Sequence, residues 1–504
     1  MLSCAIMIDV REIEPFDPAR LARGLAATGV RDAALFESSL PGGGERGRGT
    51  MRGFAAERRW RFDGGAWTLD GPAPSPLLAD VERAFGEADG QPWRHMIDAE
   101  RRLAAAAPAT GGAPPPPADL PPFRGGFAVA LSYEAARWNP RFRSLDPAAL
   151  ARDPAAWPLF DLRLYGAVCA LDLASGRAWQ VTPDHALFAR PAAARAEAAL
   201  AAVRRALAAP GEGASGAPAS AEALTSNMTD AQYAAAFERL TEYLRAGDLY
   251  QANLTRRFEA PCARNAPALY ASLRIAAPAP YACLLDDPAQ AIVSASPELF
   301  LARRGDRLVT RPIKGTRPRD PDPARDAALV ADLLASPKDR AEHVMIVDVH
   351  RNDLGMVCRY GSVTVPALAA HEAFPTVHHL TSTIEGRLRP GIASWEAIAH
   401  AFPAGSITGA PKRRACEVIE ELEPTRREIY CGALGWWDLG GDFALNVAIR
   451  TILLSGGVAT FQAGGGIVID SKVDLEAAET WNKARALHTA ITGAADAPRA
   501  EATR

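Results

Sequence analysis

Residues 229–250, Thr229-Asp-Ala-Gln-Tyr-Ala-Ala-Ala-Phe-Glu-Arg-Leu-Thr-Glu-Tyr-Leu-Arg-Ala-Gly-Asp-Leu-Tyr250, predict a helix with both of its ends marked. Thr229 followed by Gln232 is a capping-box pattern, in which each side chain satisfies a free backbone amide of the first turn. Apolar side chains recur at helical spacing from Tyr233 to Leu244. Gly247 can end the helix because glycine adopts the left-handed conformation without strain.

The next stretch, Leu249-Tyr-Gln-Ala-Asn-Leu-Thr-Arg-Arg-Phe258, alternates polar and apolar side chains and predicts a strand. Gln251, Asn253 and Thr255 fall on one of its faces. Two structures fit this pattern, namely a strand whose polar row lines a wet site and an edge strand with one face in solvent. Periodicity alone does not choose between them.

Segments on both sides of this unit continue the mixture of helices and strands. Runs of strands interspersed with helices, without strict βαβ alternation, predict the α+β class. The predicted strands lie near 127–133, 164–171, 291–302, 430–437, 443–454 and 458–469, and the helices near 328–350, 411–422 and 474–490.

Two stretches rich in alanine, proline and glycine interrupt these patterns. Residues 104–122 read as a surface loop, and residues 209–222 read as a linker after an alanine-rich helix near 193–208. We therefore predict an N-terminal region at 1–208, a linker at 209–222, a second region at 223–492 and a disordered tail at 493–504.

Composition indicates a globular protein with a sizeable core. The chain has 504 residues, of which 48% are hydrophobic, and a net charge of −3 that gives no indication of a nucleic-acid partner. Its seven cysteines are scattered, a pattern typical of reduced thiols in a cytosol. Charged residues Asp9, Arg11 and Glu12 stand where a signal peptide needs an apolar run, and no stretch is long and apolar enough to span a membrane. We expect a cytoplasmic protein.

Lys314 lies at the centre of Val309-Thr-Arg-Pro-Ile-Lys-Gly-Thr-Arg-Pro-Arg319. A lysine amine is a nucleophile only when neutral, and a nearby positive charge favours loss of its proton. The segment also carries three arginines, and Pro312 and Gly315 favour a fixed turn around the lysine. The pattern fits an activated lysine, and equally a solvated loop lysine.

Two predicted helices begin with paired carboxylates. Asp339 and Glu342 are three residues apart, as are Glu476 and Glu479, so each pair lies on one helical face. If the two helices face each other, four carboxylates converge, and oxygen-only ligands favour Mg²⁺. Acids at a helix start also stabilise the helix dipole while facing water, so each pair alone decides nothing.

Several elements are suited to holding anions. Gly405-Ser-Ile-Thr-Gly-Ala-Pro-Lys412 leads into a predicted helix, whose free amides could attract an anion together with Lys412. Glycines 464–466 let backbone amides approach a carboxylate, and Arg450 can pair with a second one through its planar fork. We find no nucleotide-binding glycine motif, so the pattern favours a small dianionic substrate.

Eight motifs of this sequence resemble those of the chorismate-utilising enzymes. They occur in the same order as in that family and span about residues 228–490. A fainter similarity to the N-terminal half of the same proteins includes Leu35-Phe-Glu-Ser38, Gly125-Gly126 and Tyr133-Glu134. The eight motifs are Ser296-Pro-Glu298, Pro312-Ile-Lys-Gly-Thr316, Lys338-Asp-x-x-Glu342, Arg351-Asn-Asp-Leu-Gly355, Gly405-Ser-x-x-Gly-Ala-Pro-Lys412, Ala448-Ile-Arg-Thr451, Gly464-Gly-Gly-Ile-Val468 and Glu479-Thr-x-x-Lys-Ala484.

The resemblance implies a fold of antiparallel sheets packed as a sandwich with helices outside. It also indicates which reaction of the family this chain is expected to catalyse. Lysine at the position of Lys314 is typical of the enzymes that make 4-amino-4-deoxychorismate, whereas anthranilate synthases usually have alanine there. Isochorismate and salicylate synthases use a lysine on the strand that matches 249–258, where this chain has Gln251. The expected reaction is amination of chorismate at C4, a step of 4-aminobenzoate and folate synthesis.

The resemblance also implies roles for individual residues. Lys314 would be the nucleophile, Glu298 the general acid, and His379 would lie near the enolpyruvyl group. The expected ligands of Mg²⁺ are Glu342 and Glu479, with Asp339 and Glu476 acting through water. The expected substrate-binding residues are Arg450, Tyr430, Ser406, Thr316, Lys483, Gly464, Gly465 and Gly466.

No glutamine-hydrolysing segment is visible, so the resemblance implies that a separate glutamine amidotransferase subunit supplies ammonia. Two alternatives remain at this stage. One is anthranilate synthase component I, which aminates C2 and eliminates pyruvate. The other is a non-catalytic amino-acid sensor with its ligand site around Leu35–Ser38. Whether the N-terminal region binds tryptophan or another effector does not follow from the sequence, nor does the oligomeric state.

Overall fold

The computed structural model describes residues 7–28, 30, 32–37, 49–53, 56–86, 91–106, 122–142, 145, 157–173, 175–209 and 224–493. Several predicted features lie outside these ranges. They are Ser38, residues 107–121 of the loop predicted at 104–122, most of the predicted linker, and the tail from residue 494. Within them the chain forms two large sheets and eleven α-helices, numbered in chain order.

The first sheet has twelve strands, and every described pair in it is antiparallel. Its spatial order is β1-β9-β8-β3-β2-β12-β13-β22-β23-β11-β10, with β19 also paired to β11. The strands are β1 (Met7–Ile13), β2 (Ala33–Glu37), β3 (Gly49–Gly53), β8 (Val168–Asp172), β9 (Ala178–Asp184), β10 (Thr225–Ser226), β11 (Gln251–Pro261), β12 (Tyr281–Asp286), β13 (Gln290–Ser296), β19 (Gly409–Ala410), β22 (Thr451–Ser455) and β23 (Val458–Ile467).

The second sheet has eleven strands and is likewise antiparallel in its described pairs. Its order is β16-β18-β15-β14-β21-β20-β6-β7-β4-β5, with β17 also paired to β18. The strands are β4 (Arg58–Phe62), β5 (Trp67–Asp70), β6 (Gly126–Leu131), β7 (Phe160–Tyr165), β14 (Leu299–Arg304), β15 (Arg307–Arg311), β16 (Ile313–Pro318), β17 (Thr364–Ala373), β18 (Val377–Arg387), β20 (Ala433–Asp438) and β21 (Phe443–Val447).

The helices include the predicted one, which begins with the Thr229–Gln232 capping box and ends at Gly247 in the left-handed conformation. The prediction of a single helix near 328–350 is wrong, because Ser336 and Pro337 divide this segment into two helices. The helices are α1 (Pro18–Ala27), α2 (Pro76–Gly86), α3 (Pro92–Ala106), α4 (Ala192–Ala208), α5 (Asp230–Ala246), α6 (Ala266–Ala276), α7 (Pro323–Ala335), α8 (Pro337–Gly355), α9 (Ser394–Ala401), α10 (Lys412–Leu422) and α11 (Val473–Thr492).

The two sheets pack face to face with helices on the outside, which confirms the predicted sandwich and the α+β class. Between them lies a core that joins Phe36 and Leu285 of the first sheet to Ala128 and Trp436 of the second. Helices α1, α4, α5, α6, α10 and α11 pack on the outer face of the first sheet, and α2, α3, α8 and α9 on that of the second. Apolar side chains therefore fill both faces of each sheet.

The N-terminal region and the second region share both sheets. In the first sheet β2 pairs with β12, and in the second β6 pairs with β20. Each ladder therefore continues across the predicted division at 209–222, and the boundary itself stays a prediction. The six described cysteines are buried. In the described ranges, no helix has the length and apolar character needed to cross a membrane.

Candidate active site

Polar side chains collect where β11, β16 and β23 meet α8 and α11. The row of β11 predicted to line a wet site is buried here, because Gln251 and Asn253 face inward from the first sheet while Ala252 and Leu254 pack against α5 and α10. The edge-strand alternative for this part of the chain is therefore wrong. The site lies between the two sheets rather than on an outer face.

Lys314 lies on strand β16 and not in the predicted turn. The pairing of β16 with β18 shifts register between Lys314 and Thr316, and Gly315 fills the bulge with a φ of +80°. A Cβ at Gly315 would meet Leu333 of α7 at 3.0 Å, so the glycine permits both the conformation and the close packing. The bulge fixes the position of Lys314 within a sheet.

Burial is the main cause that lowers the pKa of the Lys314 amine. The carboxylate of Glu342 opposes this shift, and the positive charge of Lys483 adds to it. The three arginines expected to depress the pKa are not its cause, because each pairs with acids of its own. Arg311 binds Glu372, Arg317 binds Asp332 and Asp339, and Arg319 binds Asp326.

Glu298 sits where the chain crosses from β13 of one sheet to β14 of the other. Burial raises the pKa of its carboxyl group to about 7, against opposing contributions from the Ser406 hydroxyl and the charge of Lys314. One carboxyl oxygen, Oε1, is buried without a hydrogen-bond partner. A carboxyl group with a pKa near 7 can donate a proton at neutral pH and accept it back.

His379 is buried on β18, directly across the bulge from Thr316. Its Nδ1 lies 2.9 Å from the Thr316 hydroxyl, and its Nε2 is buried without a partner. Burial, followed by the charge of Arg450, lowers the pKa of His379 to about 3. The ring is therefore neutral near pH 7 and can offer one hydrogen bond to a ligand.

Arg450 has no acidic partner among the residues that the structure describes. It precedes β22 with a φ of +50°, an uncommon conformation for a residue other than glycine. Burial alone lowers the pKa of its guanidinium to about 10. Tyr430 is also buried, and burial raises its pKa well above 10. An unpaired arginine of this kind is suited to an incoming carboxylate.

The three glycines lie within strand β23, opposite residues 253–255 of β11. A Cβ at Gly466 would come within 2.2 Å of the Gln251 side-chain nitrogen and 3.1 Å of Lys314 Nζ, and a Cβ at Gly465 within 3.0 Å of a Glu476 oxygen. Lys483 Nζ donates a hydrogen bond to the Gly464 carbonyl at 3.0 Å. Their lack of side chains leaves room for the functional groups around them.

The acidic starts of α8 and α11 face each other, which is the condition for their carboxylates to converge. Lys338 Nζ lies 3.9 Å from carboxylate oxygens of both Glu342 and Glu476. Burial is the main cause that raises the pKa of Glu342 and of Glu476, against the opposing charge of Lys338. The charges of Asp339 and Glu476 also raise the pKa of Glu342, and the charge of Glu479 raises that of Glu476. The carboxylates of the two helices therefore repel one another across the gap between them.

The acids of α8 and α11 suit a hard divalent cation by their donor atoms alone, since oxygen ligands suit Mg²⁺ and a cation would relieve the like-charge repulsion. Within the described ranges, no three histidine, cysteine or acidic side chains are close enough together to enclose a metal ion. Ammonium groups lie among the acids, with Lys483 Nζ 2.7 Å from Glu479, and Asp339 is held by Arg317 at 3.1 Å.

Lys412 does not contribute to an anion site, contrary to expectation. It is buried, and its Nζ donates to Asp353 at 2.5 Å and to the carbonyls of Ala401 and Pro403 at 2.7 Å. Its charge is thus fully paired inside the protein. Ser406, from the same motif, is buried at the site, where its hydroxyl group lowers the pKa of Glu298 against the effect of burial.

His343 is a site residue that sequence reasoning missed. Its Nδ1 lies 3.3 Å from the Lys314 carbonyl, and its Nε2 lies 2.6 Å from the Ser382 hydroxyl, which accepts from the Ala369 amide. These bonds support the backbone that carries Lys314. Its position directly after Glu342 was the only signal in the sequence.

Known proteins resemble this chain over most of its length. The family model described as "chorismate binding enzyme" matches residues 65–489. Anthranilate synthase component 1 of Thermus thermophilus is 36% identical over 89% of this chain and 90% of its own length. Aminodeoxychorismate synthase component 1 of Bacillus subtilis is 42% identical over 54% of this chain and 58% of its own length. For some curated relatives the match thus spans little more than half of their length.

Among solved structures, anthranilate synthase component I from Streptococcus pneumoniae superposes with a TM-score of 0.72. The two chains are 27% identical, and the superposition covers 88% of this chain and 92% of that one. Relatives with both names therefore match at comparable identity.

Proposed function

The chain belongs to the family of chorismate-binding enzymes, and from that premise we propose that it replaces the C4 hydroxyl group of chorismate by an amino group. The product is 4-amino-4-deoxychorismate, a precursor of 4-aminobenzoate and folate. The observation that carries this proposal is the amine of Lys314, which lies in the site with a lowered pKa. Within the family, lysine here is typical of C4 amination and alanine of anthranilate synthesis.

In the proposed reaction the neutral amine of Lys314 attacks C2 of chorismate. The ring double bonds shift, the C4–O bond breaks, and Glu298 protonates the departing hydroxyl group to give water. Ammonia then attacks C4, the double bonds shift back, and the C2–N bond to Lys314 breaks. Nucleophilic catalysis of this kind divides one difficult substitution into two easier ones.

The charges around Lys314 support these roles. Hydroxide is a poor leaving group, so an acid is needed, and Glu298 with a pKa of about 7 is half protonated at neutral pH. The unpaired Arg450 and the neutral His379 suit the enolpyruvyl carboxylate, together with Tyr430 and the glycines of β23. Thr316 orients the His379 ring through its hydroxyl group.

We assign the ring carboxylate to the acidic end of the site. Glu342 and Glu479 would hold Mg²⁺, with Asp339 and Glu476 in support through water, and the bound ion would neutralise that carboxylate. The support for this assignment is the mutual repulsion of the acids on α8 and α11. Lys483, which bonds both Glu479 and Gly464, links the acidic end to the glycine strand.

We further propose a cytoplasmic enzyme that receives ammonia from a separate glutamine amidotransferase. The support is that relatives are named as component 1 or component I, which implies a second component. Purified chain should then use ammonium salts and not glutamine. Turnover with glutamine by the pure polypeptide would contradict this part of the proposal.

Anthranilate synthase component I is the second candidate, because a relative of that name aligns over most of the chain. It predicts fluorescent anthranilate and pyruvate from chorismate, ammonium and Mg²⁺. The mass of the product distinguishes the two reactions, since 4-amino-4-deoxychorismate retains the enolpyruvyl group.

The decisive experiment concerns Lys314. Chorismate without ammonia should leave an adduct of substrate minus water on a peptide that contains Lys314. Lys314→Ala should lose the adduct and most C4 amination, and Lys314→Arg should not restore it, because a guanidinium stays protonated. Lys472→Ala, which removes an exposed lysine at the start of α11, is the matched control. Wild-type-like C4 amination by Lys314→Ala would exclude the covalent route.

A further inference from the structure

Lys314 lies at a β-bulge, where a regular ladder does not fix the backbone. Strand β16 shifts register against β18 between Lys314 and Thr316, and Gly315 in the bulge has a φ of +80°. A bulge disrupts the ladder locally and changes the direction of the side chain beside it. The direction of the Lys314 side chain therefore depends on what holds the peptide group between Lys314 and Gly315.

His343 of α8 bonds that peptide group from the buried side, with an exposed fraction of 1%. Its Nδ1 lies 3.3 Å from the Lys314 carbonyl oxygen, and its Nε2 lies 2.6 Å from the Ser382 hydroxyl group. The Ser382 oxygen in turn accepts from the backbone amide of Ala369 at 2.9 Å. Helix α8 and strands β17 and β18 thus meet at the bulge through one chain of hydrogen bonds.

The hydrogen bonds of this chain have one consistent direction. A carbonyl oxygen can only accept, so Nδ1 of His343 must carry the proton. Burial is the main cause that lowers the pKa of His343, so the ring is neutral near pH 7 and Nε2 is an acceptor. The Ser382 hydroxyl group donates to Nε2 while its oxygen accepts from Ala369. The chain therefore selects one tautomer of the ring.

Helix α8 connects this chain to the acidic end of the site. Glu342 directly precedes His343, and its charge is the largest one that opposes the lowered pKa of Lys314. Adjacent side chains of an α-helix point about 100° apart, so Glu342 can face the other acids while His343 faces β16. The bond from His343 to Lys314 therefore fixes the amine relative to the acidic end.

A second histidine of α8 provides a comparison. His350 lies two turns further along the same helix and is also buried. Its Nδ1 lies 3.0 Å from the Thr310 hydroxyl group on β15, and its Nε2 has no hydrogen-bond partner. Both histidines tie the same helix to the same sheet, and of the two it is His343 that contacts Lys314.

We propose that His343, as the neutral ring protonated at Nδ1, is a positioning residue that holds the Lys314 amine in place for attack on the substrate. It acts through the Lys314 carbonyl group. The inference rests on the proposed function in taking Lys314 as the nucleophile. Loss of the bond should lower kcat and not raise the KM for chorismate, because the proposed carboxylate contacts at Arg450 and the acidic end stay intact.

Two substitutions separate the roles of the ring nitrogens. Asparagine places an N–H donor where Nδ1 lies, whereas glutamine places its amide where Nε2 lies. His343→Gln should lower kcat about 10- to 100-fold, the effect of misplacing a reacting group by up to about 1 Å. His343→Asn keeps the donor to the Lys314 carbonyl and should retain most of kcat. The rate of adduct formation on Lys314 without ammonia should fall in the same proportion as kcat.

His350→Gln is the matched control, because it removes a buried ring of the same helix that bonds Thr310. It should lower the urea midpoint of unfolding about as much as His343→Gln and leave kcat unchanged. In protein labelled with ¹⁵N-histidine, the signal lost in His343→Asn should be that of a neutral ring protonated at Nδ1. Ser382→Ala removes the donor to Nε2, should also lower kcat, and serves if neither variant of His343 folds.

Equal loss of kcat in His343→Gln and His343→Asn would overturn the proposal, because packing alone would then explain the loss. Unchanged kcat in both variants, or a ring protonated at Nε2, would also overturn it. An adduct that forms on Lys314 at the wild-type rate in His343→Gln would overturn this inference and leave the proposed function standing.

Failure of the proposed function gives a different result. Wild-type protein that makes anthranilate, or that forms no adduct on Lys314, would exclude covalent C4 amination. A kcat that is lost in His343→Gln and kept in His343→Asn would still support the positioning of Lys314 by His343.

Discussion

Buried glutamates occur in two regions of this molecule, at the seam between the N-terminal and second regions and in the active site. At the seam, the Glu134 carboxylate accepts backbone N–H groups of Arg427 at 2.8 Å and Glu428 at 3.0 Å. In the active site, Glu298 keeps one oxygen without a partner. Burial raises the pKa of both carboxyl groups to about 7.

The difference shows that a raised pKa does not by itself mark a functional residue. Glu134 and Glu298 share the shift and its cause, and they differ in how completely the fold satisfies their oxygens. A satisfied carboxylate fixes two segments to each other, whereas an unsatisfied one is kept for a group that arrives later.

Other acids at the seam also have hydrogen-bond or ion-pair partners across it. Glu100 accepts the backbone amides of Ser394 at 2.8 Å and Trp395 at 2.9 Å at the start of α9. Glu37 binds Tyr270 and Arg274, and Arg59 binds Asp287. Each of these bonds joins the first 208 residues to the rest of the chain.

The largest effect is expected at the acids of α8 and α11, whose charges repel one another. Glu342→Gln or Glu479→Gln should abolish Mg²⁺-dependent turnover while the protein stays folded, because each removes a proposed ligand. Glu385→Gln, at an acid on β18 that pairs with Arg307, is the control. Titration of activity with Mg²⁺ checks the prediction, and full activity with unchanged Mg²⁺ dependence removes the residue from the metal site.

The next effect tests the unsatisfied glutamate itself. Glu298→Gln should lower kcat by about 10²–10⁴-fold, the usual contribution of a general acid. Unfolding in urea should show equal or greater stability, because a neutral amide replaces a carboxyl group that is costly to bury. Normal turnover by this variant would show that Glu298 has a structural role, like Glu134, and is not the general acid.

Glu134→Gln should give the opposite result. The amide NH₂ group would replace one of the two accepting oxygens and face a backbone N–H donor, so the free energy of unfolding should fall by about 1–3 kcal/mol. The KM and kcat of the folded fraction should stay close to those of the wild type. Lost activity without lost stability would show that the comparison between the two glutamates is wrong.

The smallest effect is the pH dependence of the reaction. In the proposed reaction the acid form of Glu298 is the active form, and with a pKa of about 7 its fraction falls as the pH rises through that value. We therefore expect kcat/KM for chorismate to fall above pH 7, by up to tenfold per pH unit. This alkaline limb should be absent from the residual activity of Glu298→Gln.

Stability should also respond to pH with a definite sign. The folded pKa values of Glu134 and Glu298 lie above the ordinary value of 4.5. Between about pH 4.5 and 7 the folded state therefore binds more protons than the unfolded state, and the contribution of both groups to stability falls as the pH rises. Removing Glu134 should flatten this slope, as measured by urea unfolding at several pH values.

Local features of the fold were predictable from the sequence, and long-range partners were not. The capping box at Thr229 and the alternation of β11 depend on neighbours within a few residues, so both predictions are confirmed. The arginines around Lys314 and the charge of Lys412 find their partners on other elements, such as Asp353 on α8. Spacing along the chain contains no information about those pairings.

The proposed site residues come from the order of the motifs rather than from their local physics. The unpaired state of the Glu298 oxygen depends on which donors around it are already used, and that depends on the complete fold. The same holds for His343, whose contact with the Lys314 carbonyl is made across 29 positions of sequence.

The sharing of both sheets has a consequence for how the chain can be divided. A cut within residues 209–222 separates the pairing partners β2 and β12, and also β6 and β20. Each fragment alone would then expose two unpaired sheet edges and a row of charged side chains, and should aggregate. Produced together, the two fragments should recombine into one active particle, so this position is suited to a split enzyme whose activity reports on their association.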